Sequence, residues 1–163
     1  MEAGLEEHAR RVLERYRSAG VRLALVEACT GGLMAASLTG VPGSSAVVEV
    51  GLVPYSNESK VELLGVAPAL LQAHGAVSGE VASAMAEGAL ARSRAEVALA
   101  ETGIAGPGGG TPTKPVGLVF LAVARRGAAT VVERHVFPGD RQAVRLAAAT
   151  RGLALLVDVL AAA

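Results

Sequence analysis

The chain has few aromatic residues, a single cysteine and almost no lysine. Two Tyr, two Phe and no Trp occur among its 163 residues, so it lacks the stacked side chains on which nucleic-acid bases pack. Lys+Arg and Asp+Glu are equal at 15 each, and no long basic run occurs, which argues against electrostatic binding of nucleic acid. One cysteine, Cys29, excludes an internal disulfide and a metal site of clustered Cys ligands. The histidines, His8, His74 and His135, show no ligand spacing, so we expect no metal and no cofactor.

Signals for export or membrane insertion are also missing. The first twenty residues are acidic and amphipathic, whereas a signal peptide has a basic segment before an apolar one. No apolar run is long and uninterrupted enough to span a bilayer. We therefore expect a cytoplasmic protein with no membrane partner. Since 52% of the residues are hydrophobic, a core built from Ala, Leu and Val is expected in one domain, residues 1–163.

Helical and strand patterns alternate along the chain in the order α-β-α-β-α-α-α-β-β-β-α. Early alternation followed by a hairpin predicts an α/β fold: a single three-layer α/β/α domain with a mixed sheet. Good N-caps for four of the helices are Thr30, Asn57, Ser78 and Asp140. The predicted helices are 4–19, 29–40, 57–66, 68–74, 78–93 and 139–163, and the predicted strands are 21–28, 45–56, 95–102, 116–125 and 129–137.

Two glycine-containing segments follow predicted strands. Thr30, Gly31 and Gly32 stand where a helix begins, a geometry that binds anions through free N–H groups, although an ordinary tight turn has the same pattern. No basic partner for Cys29 is evident, so a small buried thiol is expected there.

The second segment is the glycine–proline loop 103–115. It lacks the following helix of a dinucleotide-binding motif and the Gly-Lys-Ser/Thr of a phosphate-binding P-loop. Its small residues, among them Gly103 and Gly106, allow backbone N–H groups to converge on a ligand, with hydroxyls from Thr102 and Thr111 nearby. A flexible surface loop is the alternative.

Lys60 is unusual because the chain carries its positive charge almost entirely as arginine, with 13 Arg and two Lys. A serine hydroxyl becomes a nucleophile when a base takes its proton, and a desolvated lysine can do so whereas arginine cannot. Ser45, Tyr55 and Lys60 fall within sixteen positions, which suggests a catalytic group; an exposed lysine on a helix face is the alternative.

Arginines also recur near the start of the last predicted helix. Arg141 and Arg145 fall four residues apart on one helix face, where two guanidiniums can bind a phosphate. A solvated helix face is the alternative.

Taken together, these segments resemble a known family, the C-terminal domain of CinA, also called the nicotinamide-nucleotide amidohydrolase family. The matching segments occur in family order and cover nearly the whole chain. They are "VEACTGG", "TGVPGSSAVVEVGLVPYSNESKVELLGV", "HGAVSGEVASAMAEGAL", "TGIAGPGGGTPTKPVG" and "GDRQAVR". Larger proteins of this family carry an additional N-terminal domain, so the resemblance implies a stand-alone form.

The resemblance implies hydrolysis of the carboxamide of nicotinamide mononucleotide to nicotinic acid mononucleotide and ammonia, without a metal. It assigns Ser45 as nucleophile, Lys60 as base and Tyr55 as an aid to proton transfer or ring binding. Thr102 matches a hydroxyl near the amide, and Arg141 in the "GDR" motif is the preferred phosphate ligand. It also implies a homo-oligomer, most simply a dimer. The substrate-binding set is Thr30, Gly31, Gly32, Thr102, Gly103, Gly106 and Arg141.

Three positions depart from the family pattern. Ala28 replaces the serine of Glu-Ser-Cys-Thr-Gly-Gly, Val50 replaces the arginine of Glu-Arg-Gly, and Pro54 replaces a threonine. Loss of a supporting catalytic hydrogen bond costs about 2–4 kcal/mol. Three functions stay open: an active mononucleotide amidohydrolase, a degenerate member that binds a nucleotide or a partner protein without turnover, and a Ser-Lys amidase for another small amide.

Overall fold

The computed structural model describes residues 2–162, and its helices and strands follow the predicted order. The helices are α1 Ala3–Ala19, α2 Leu33–Thr39, α3 Asn57–Leu64, α4 Pro68–His74, α5 Gly79–Ala91 and α6 Arg141–Ala161. The strands are β1 Leu23–Glu27, β2 Val48–Leu52, β3 Val97–Gly103, β4 Leu118–Arg125 and β5 Val131–Val136, and one turn of 3₁₀ helix covers Ser44–Ala46.

The five strands form one mixed sheet in the order β2-β1-β3-β4-β5. β1 is parallel to both β2 and β3, whereas β4 runs antiparallel to β3 and to β5. The hairpin β4–β5 therefore extends a parallel core of three strands, and the predicted mixed sheet with helices on both faces is confirmed.

The two faces of the sheet carry different side chains. One face presents leucines such as Leu25, Leu99 and Leu121, which pack against α1, α2 and α6. The other presents Ala98 and Ala122, which pack against α5. Because alanine side chains are small, α5 can pack close to this face of the sheet.

Close packing continues between α5 and α3. A Cβ atom added at Gly88 of α5 would lie 2.1 Å from the backbone oxygen of Leu64 at the end of α3. Only glycine allows this approach, and it draws α3, which carries Lys60, tightly against the domain.

Two predicted caps differ from the structure. The cap of α2 is Gly32, with φ of 100°, and not Thr30, because the turn before α2 needs a left-handed residue. The cap of α3 is Ser56, whose hydroxyl accepts from the backbone N–H of Ser59 at 3.0 Å, and not Asn57. Ser78 and Asp140 cap α5 and α6, as predicted.

The path of the chain creates a crevice between the carboxyl ends of β1 and β2, which are parallel neighbours. From β1 the chain passes through α2 to β2, and from β2 it returns through α3, α4 and α5 on the opposite face to β3. Loops that leave neighbouring parallel strands toward opposite faces separate at their carboxyl ends, where ligands bind in open α/β sheets. Of the helices described here, none is long and apolar enough to cross a membrane.

Candidate active site

A cavity of about 300 Å³ opens in this crevice, and we call it the Lys60 cavity. Its wall combines the turn after β1, the segment after β2, the approach to α5, the loop after β3 and the start of α6. The lining residues are Ala28, Cys29, Tyr55, Asn57, Lys60, Ala76, Val77, Thr102, Gly103, Ile104, Ala105, Gly106, Gly108, Gly109 and Arg141. Six of the predicted site residues therefore meet here: Tyr55, Lys60, Thr102, Gly103, Gly106 and Arg141.

Lys60 brings a buried amine to the cavity, with 2% of its surface exposed. Its Nζ donates to the backbone carbonyls of Pro54 at 3.1 Å and Tyr55 at 3.2 Å, with a longer contact to Ser56 at 3.5 Å. Burial lowers the pKa of the amine, and the negative charge of Glu101 opposes this change. A neutral amine can keep the two shorter bonds and present its lone pair to a ligand.

Three further side chains bring polar atoms to the same wall. The Thr102 hydroxyl donates to the carbonyl of Ala76 at 2.8 Å, so its oxygen stays an acceptor for a ligand. Arg141 donates from Nη1 to the carbonyl of Gly106 at 2.9 Å and from Nη2 to the Tyr55 hydroxyl at 3.5 Å. Tyr55 is 65% exposed, so it stands at the mouth of the cavity.

The turn after β1 is held on its N–H side by Glu101 of β3. Its Oε1 accepts hydrogen bonds from the backbone N–H groups of Ala28 and Thr30, both at 2.7 Å. Arg145 of α6 holds the carbonyl side of the turn and donates to the carbonyls of Cys29 at 3.1 Å and Thr30 at 2.9 Å. The backbone of this turn is thus fixed by side chains from β3 and α6.

The carboxylate of Glu27 takes two backbone N–H groups directly after the predicted anion site at Thr30, Gly31 and Gly32. Glu27 accepts from the backbone N–H groups of Met34 at 2.8 Å and Ala35 at 2.9 Å, at the start of α2. Those N–H groups are therefore not available to an external anion, and none of the three predicted residues lines the Lys60 cavity. Ligand binding by this triplet stays a prediction.

Glu27, Thr30 and Glu101 form a buried cluster that must hold a proton. The Thr30 hydroxyl lies 2.6 Å from Oε1 of Glu27 and 2.7 Å from Oε1 of Glu101, yet it has one proton to donate. One of the two carboxyl groups must supply a second proton. Burial, with a contribution from the charge of Glu27, raises the pKa of Glu101, so we assign the proton to Glu101.

The second oxygen of Glu101 is unpaired. Oε2 is buried and has no hydrogen-bond partner among residues 2–162. A neutral carboxyl tolerates this far better than a carboxylate would, which agrees with the assigned proton. A charged Glu101 would raise the pKa of Lys60. Because Glu101 is neutral, the lowering of the Lys60 pKa by burial is not opposed.

Ser45 lies at the other end of the sheet from Lys60. It precedes β2, and its carbonyl accepts from Nη1 of Arg22 at 3.3 Å, whereas Lys60 contacts the segment that follows β2. The five residues of β2 alone span about 13 Å at the usual rise of ~3.3 Å per residue. The predicted hydrogen-bonded pair of Ser45 and Lys60 therefore does not form within one chain.

Cys29 is a buried thiol, as predicted. Burial raises the pKa of the thiol, so it carries no thiolate at neutral pH. Because Ala28 presents a methyl group beside it, the turn offers no hydroxyl or thiolate nucleophile to the Lys60 cavity.

Glu27 and Glu101 were missed by the sequence reasoning. Each is the charged residue near the end of an otherwise apolar strand, in "LALVE" and "VALAETG", and each precedes a glycine-containing segment. Acidic residues at the carboxyl ends of buried strands were the available signal, because those ends face the ligand crevice in such sheets. Among residues 2–162 no three His, Cys, Asp or Glu side chains form a group that could hold a metal ion.

Comparison with known proteins gives a consistent family. The model of the CinA C-terminal domain matches residues 5–160. A CinA-like protein of Anaeromyxobacter sp. (strain Fw109-5) is 53% identical over 151 residues, which cover 93% of this chain and 37% of that protein. A CinA-like protein of Akkermansia muciniphila is 53% identical over 138 residues, which cover 85% of this chain and 33% of that protein. The chain thus spans about a third of the length of these curated relatives.

Solved structures agree with the sequence comparisons. The crystal structure of the competence/damage inducible protein CihA from Agrobacterium tumefaciens superposes with a TM-score of 0.94 at 44% identity, covering 97% of this chain and 96% of that one. A CinA superfamily protein from Klebsiella pneumoniae gives a TM-score of 0.93 at 35% identity, covering 98% and 99%. The chain belongs to the CinA C-terminal domain family.

Proposed function

We propose that this member of the CinA C-terminal domain family binds nicotinamide mononucleotide in the Lys60 cavity and hydrolyses its carboxamide, giving nicotinic acid mononucleotide and ammonia. The observation that carries the proposal is the buried Lys60 amine, whose pKa is lowered by burial, in one cavity with Thr102, Tyr55 and Arg141. An amide hydrolase needs a base, an orienting group for the amide and a ligand for the substrate's charge, and these residues meet those needs.

Each end of the substrate has a partner. The carboxamide N–H₂ group donates to the Thr102 oxygen, since that hydroxyl spends its own proton on Ala76. The 5′-phosphate pairs with Arg141, which forms no ion pair with a carboxylate among residues 2–162. Tyr55 at the mouth closes over the ring.

Water is the nucleophile in this scheme, because Ser45 does not reach Lys60. The neutral Lys60 amine takes a proton from a water molecule, and the water oxygen attacks the carboxamide carbon. The C–N bond of the resulting tetrahedral adduct breaks, and the Lys60 ammonium returns its proton to the leaving nitrogen. The products are a carboxylic acid and ammonia, and the base is restored.

Ala28 supports a second candidate, ligand binding without turnover. Its methyl group lies on the Lys60 cavity where the family motif has a serine hydroxyl. A member that lost this hydroxyl would keep the groups that bind the nucleotide and lose much of its hydrolytic rate.

One experiment separates the two candidates. Purified protein is incubated with nicotinamide mononucleotide and ammonia release is measured, with substrate affinity from calorimetry. The test variant is Lys60→Arg, which stays protonated, and the matched control is Lys114→Arg, which changes the other lysine, held at the carbonyl of His74. Hydrolysis by the wild type and the control but not by Lys60→Arg supports the first candidate. Binding without ammonia release supports the second, and absence of both rejects each.

We also propose a homodimer in the cytoplasm. The edge strand β5 exposes Val131, Val132 and Val136, which favours pairing with another chain. Light scattering at graded protein concentration tests this, and a monomeric mass throughout would reject it.

A further inference from the structure

A second, larger cavity lies on the far side of Arg141, and we call it the Arg145 cleft. It has a volume of about 1170 Å³. Its walls are the first turns of α1, α2 and α6 and the loop after β3. Its lining includes Leu5, Leu33, Pro107, Gln142, Arg145 and Leu146. Ala105 and Arg141 line both this cleft and the Lys60 cavity, so the two spaces are adjacent and share one wall.

Two arginines one helical turn apart on α6 line the cleft: Arg141, on the shared wall, and Arg145, on the cleft side only. Neither Arg141 nor Arg145 forms an ion pair with a carboxylate among residues 2–162. Arg145 uses Nε and Nη2 on the carbonyls of Cys29 and Thr30, which fixes its position and leaves other N–H groups of its five. Two fixed positive groups at this spacing suit two linked phosphates.

The rest of the cleft suits a nucleoside. Leu5, Leu33, Pro107 and Leu146 provide an apolar wall for a base. Glu2 and Asp140 add carboxylates at the same cleft, and Asp140 spends one oxygen on the backbone N–H of Ala143 at 2.9 Å. Carboxylates accept hydrogen bonds from ribose hydroxyls, as in other nucleotide sites.

We propose that the Lys60 cavity and the Arg145 cleft form one site for a pyridine dinucleotide. The nicotinamide nucleoside occupies the Lys60 cavity, the diphosphate spans Arg141 and Arg145, and the second nucleoside lies against the apolar wall of the cleft. The placement of the nicotinamide half rests on the proposed function, whereas the second half rests on the cleft alone.

Calorimetric affinities for nicotinamide mononucleotide, NAD⁺ and ADP-ribose test the inference with the whole chain. NAD⁺ is expected to bind at least about tenfold more tightly than the mononucleotide, because its second half gains contacts worth ~1.4 kcal/mol or more. Gln142 is an exposed α6 residue that lines the cleft, so Gln142→Trp fills the space without removing a core side chain. This variant should bind NAD⁺ and ADP-ribose about tenfold more weakly and the mononucleotide within about twofold of wild type. Gln142→Ala is the matched control and should change none of the three.

Equal affinities for NAD⁺ and the mononucleotide, or unchanged NAD⁺ binding by Gln142→Trp, would overturn the proposal. A change in molecular mass caused by Gln142→Trp without a change in nucleotide affinity would show that a second copy of the chain fills the cleft, and would also overturn it. ADP-ribose lacks nicotinamide. Binding of ADP-ribose by wild type, and weaker binding by Gln142→Trp, would therefore support the second half of the site even if the protein hydrolyses no carboxamide. Failure of the proposed function and failure of this inference are therefore distinct results.

Discussion

The protonated Glu101 leads to a specific prediction about stability and pH. Glu101→Gln replaces a neutral carboxyl by a group of the same shape that never ionises. Its side-chain oxygen can still accept from the N–H groups of Ala28 and Thr30. We therefore expect the variant to fold with a free energy of unfolding lowered by about 1–3 kcal/mol, because its amide N–H₂ takes the place of Oε2, which is buried and has no hydrogen-bond partner among residues 2–162. The quantity to compare between the two proteins is therefore the pH slope of stability and not its level.

The magnitude follows from proton linkage. The pKa of Glu101 is raised in the folded protein, whereas an unfolded glutamate has a pKa of about 4.3. Between these two pKa values the folded state binds one more proton than the unfolded state, so stability falls as pH rises, by ~1.4 kcal/mol per pH unit. The stabilisation that comes from the raised pKa of Glu101 is fully present below the unfolded pKa and is lost as pH rises through the folded pKa.

Urea denaturation at pH 5, 6 and 7 measures this slope. Wild type is expected to lose up to about 2.7 kcal/mol relative to Glu101→Gln across that range, if the folded carboxyl stays neutral throughout it. Identical pH slopes for the two proteins would refute the assignment of the proton to Glu101.

Glu133→Gln is the matched control because its linkage has the opposite sign. Hydrogen bonding to Arg151 lowers the pKa of Glu133 to about 2. That stabilisation is present above the unfolded pKa of about 4.3 and is lost only as pH falls toward the folded value. Nε2 of His135 lies 2.7 Å from Glu133, and an imidazole can change charge between pH 5 and 8, so the control is made in a His135→Gln background. In that background Glu133→Gln should change the level of stability between pH 5 and 7 and not its pH slope.

Three other predictions concern catalysis and packing. Ala28→Ser should raise ammonia release from nicotinamide mononucleotide, by up to about 10²–10³-fold, and no gain would show that the missing hydroxyl does not limit the rate. Ammonia release should rise with pH and level off below the ordinary lysine pKa of ~10.4, because burial lowers the pKa of Lys60; a rise that continues through pH 10 would contradict its role as base. Gly88→Ala should destabilise the fold by about 1–3 kcal/mol in urea, because its Cβ would overlap the oxygen of Leu64; unchanged stability would contradict that close contact.

The order of elements was predictable because it depends on local patterns. Short apolar runs marked β1 and β3, and Ser78 and Asp140 marked two helix starts as caps. The caps of α2 and α3 were wrong by one or two residues, since a cap is decided by backbone geometry that several neighbouring polar residues satisfy equally well.

The candidate site was also predicted only in part. Lys60, Thr102 and Arg141 were identified from residue type and from the family resemblance, and the structure brings them to one cavity. Ser45 was placed with Lys60 because the two are close in sequence, yet β2 lies between them and carries them to opposite ends of the sheet.

The sequence by itself determined the family, the α/β architecture and the exceptional lysine, because these follow from motifs, periodicity and composition. Only the tertiary structure decided which groups meet. Glu27 and Glu101 become neighbours through the parallel register of β1 and β3, and Thr30 between them forces a shared proton. Contacts between strands that are distant in sequence depend on strand order and register. Neither can be predicted from the residues of the two strands alone.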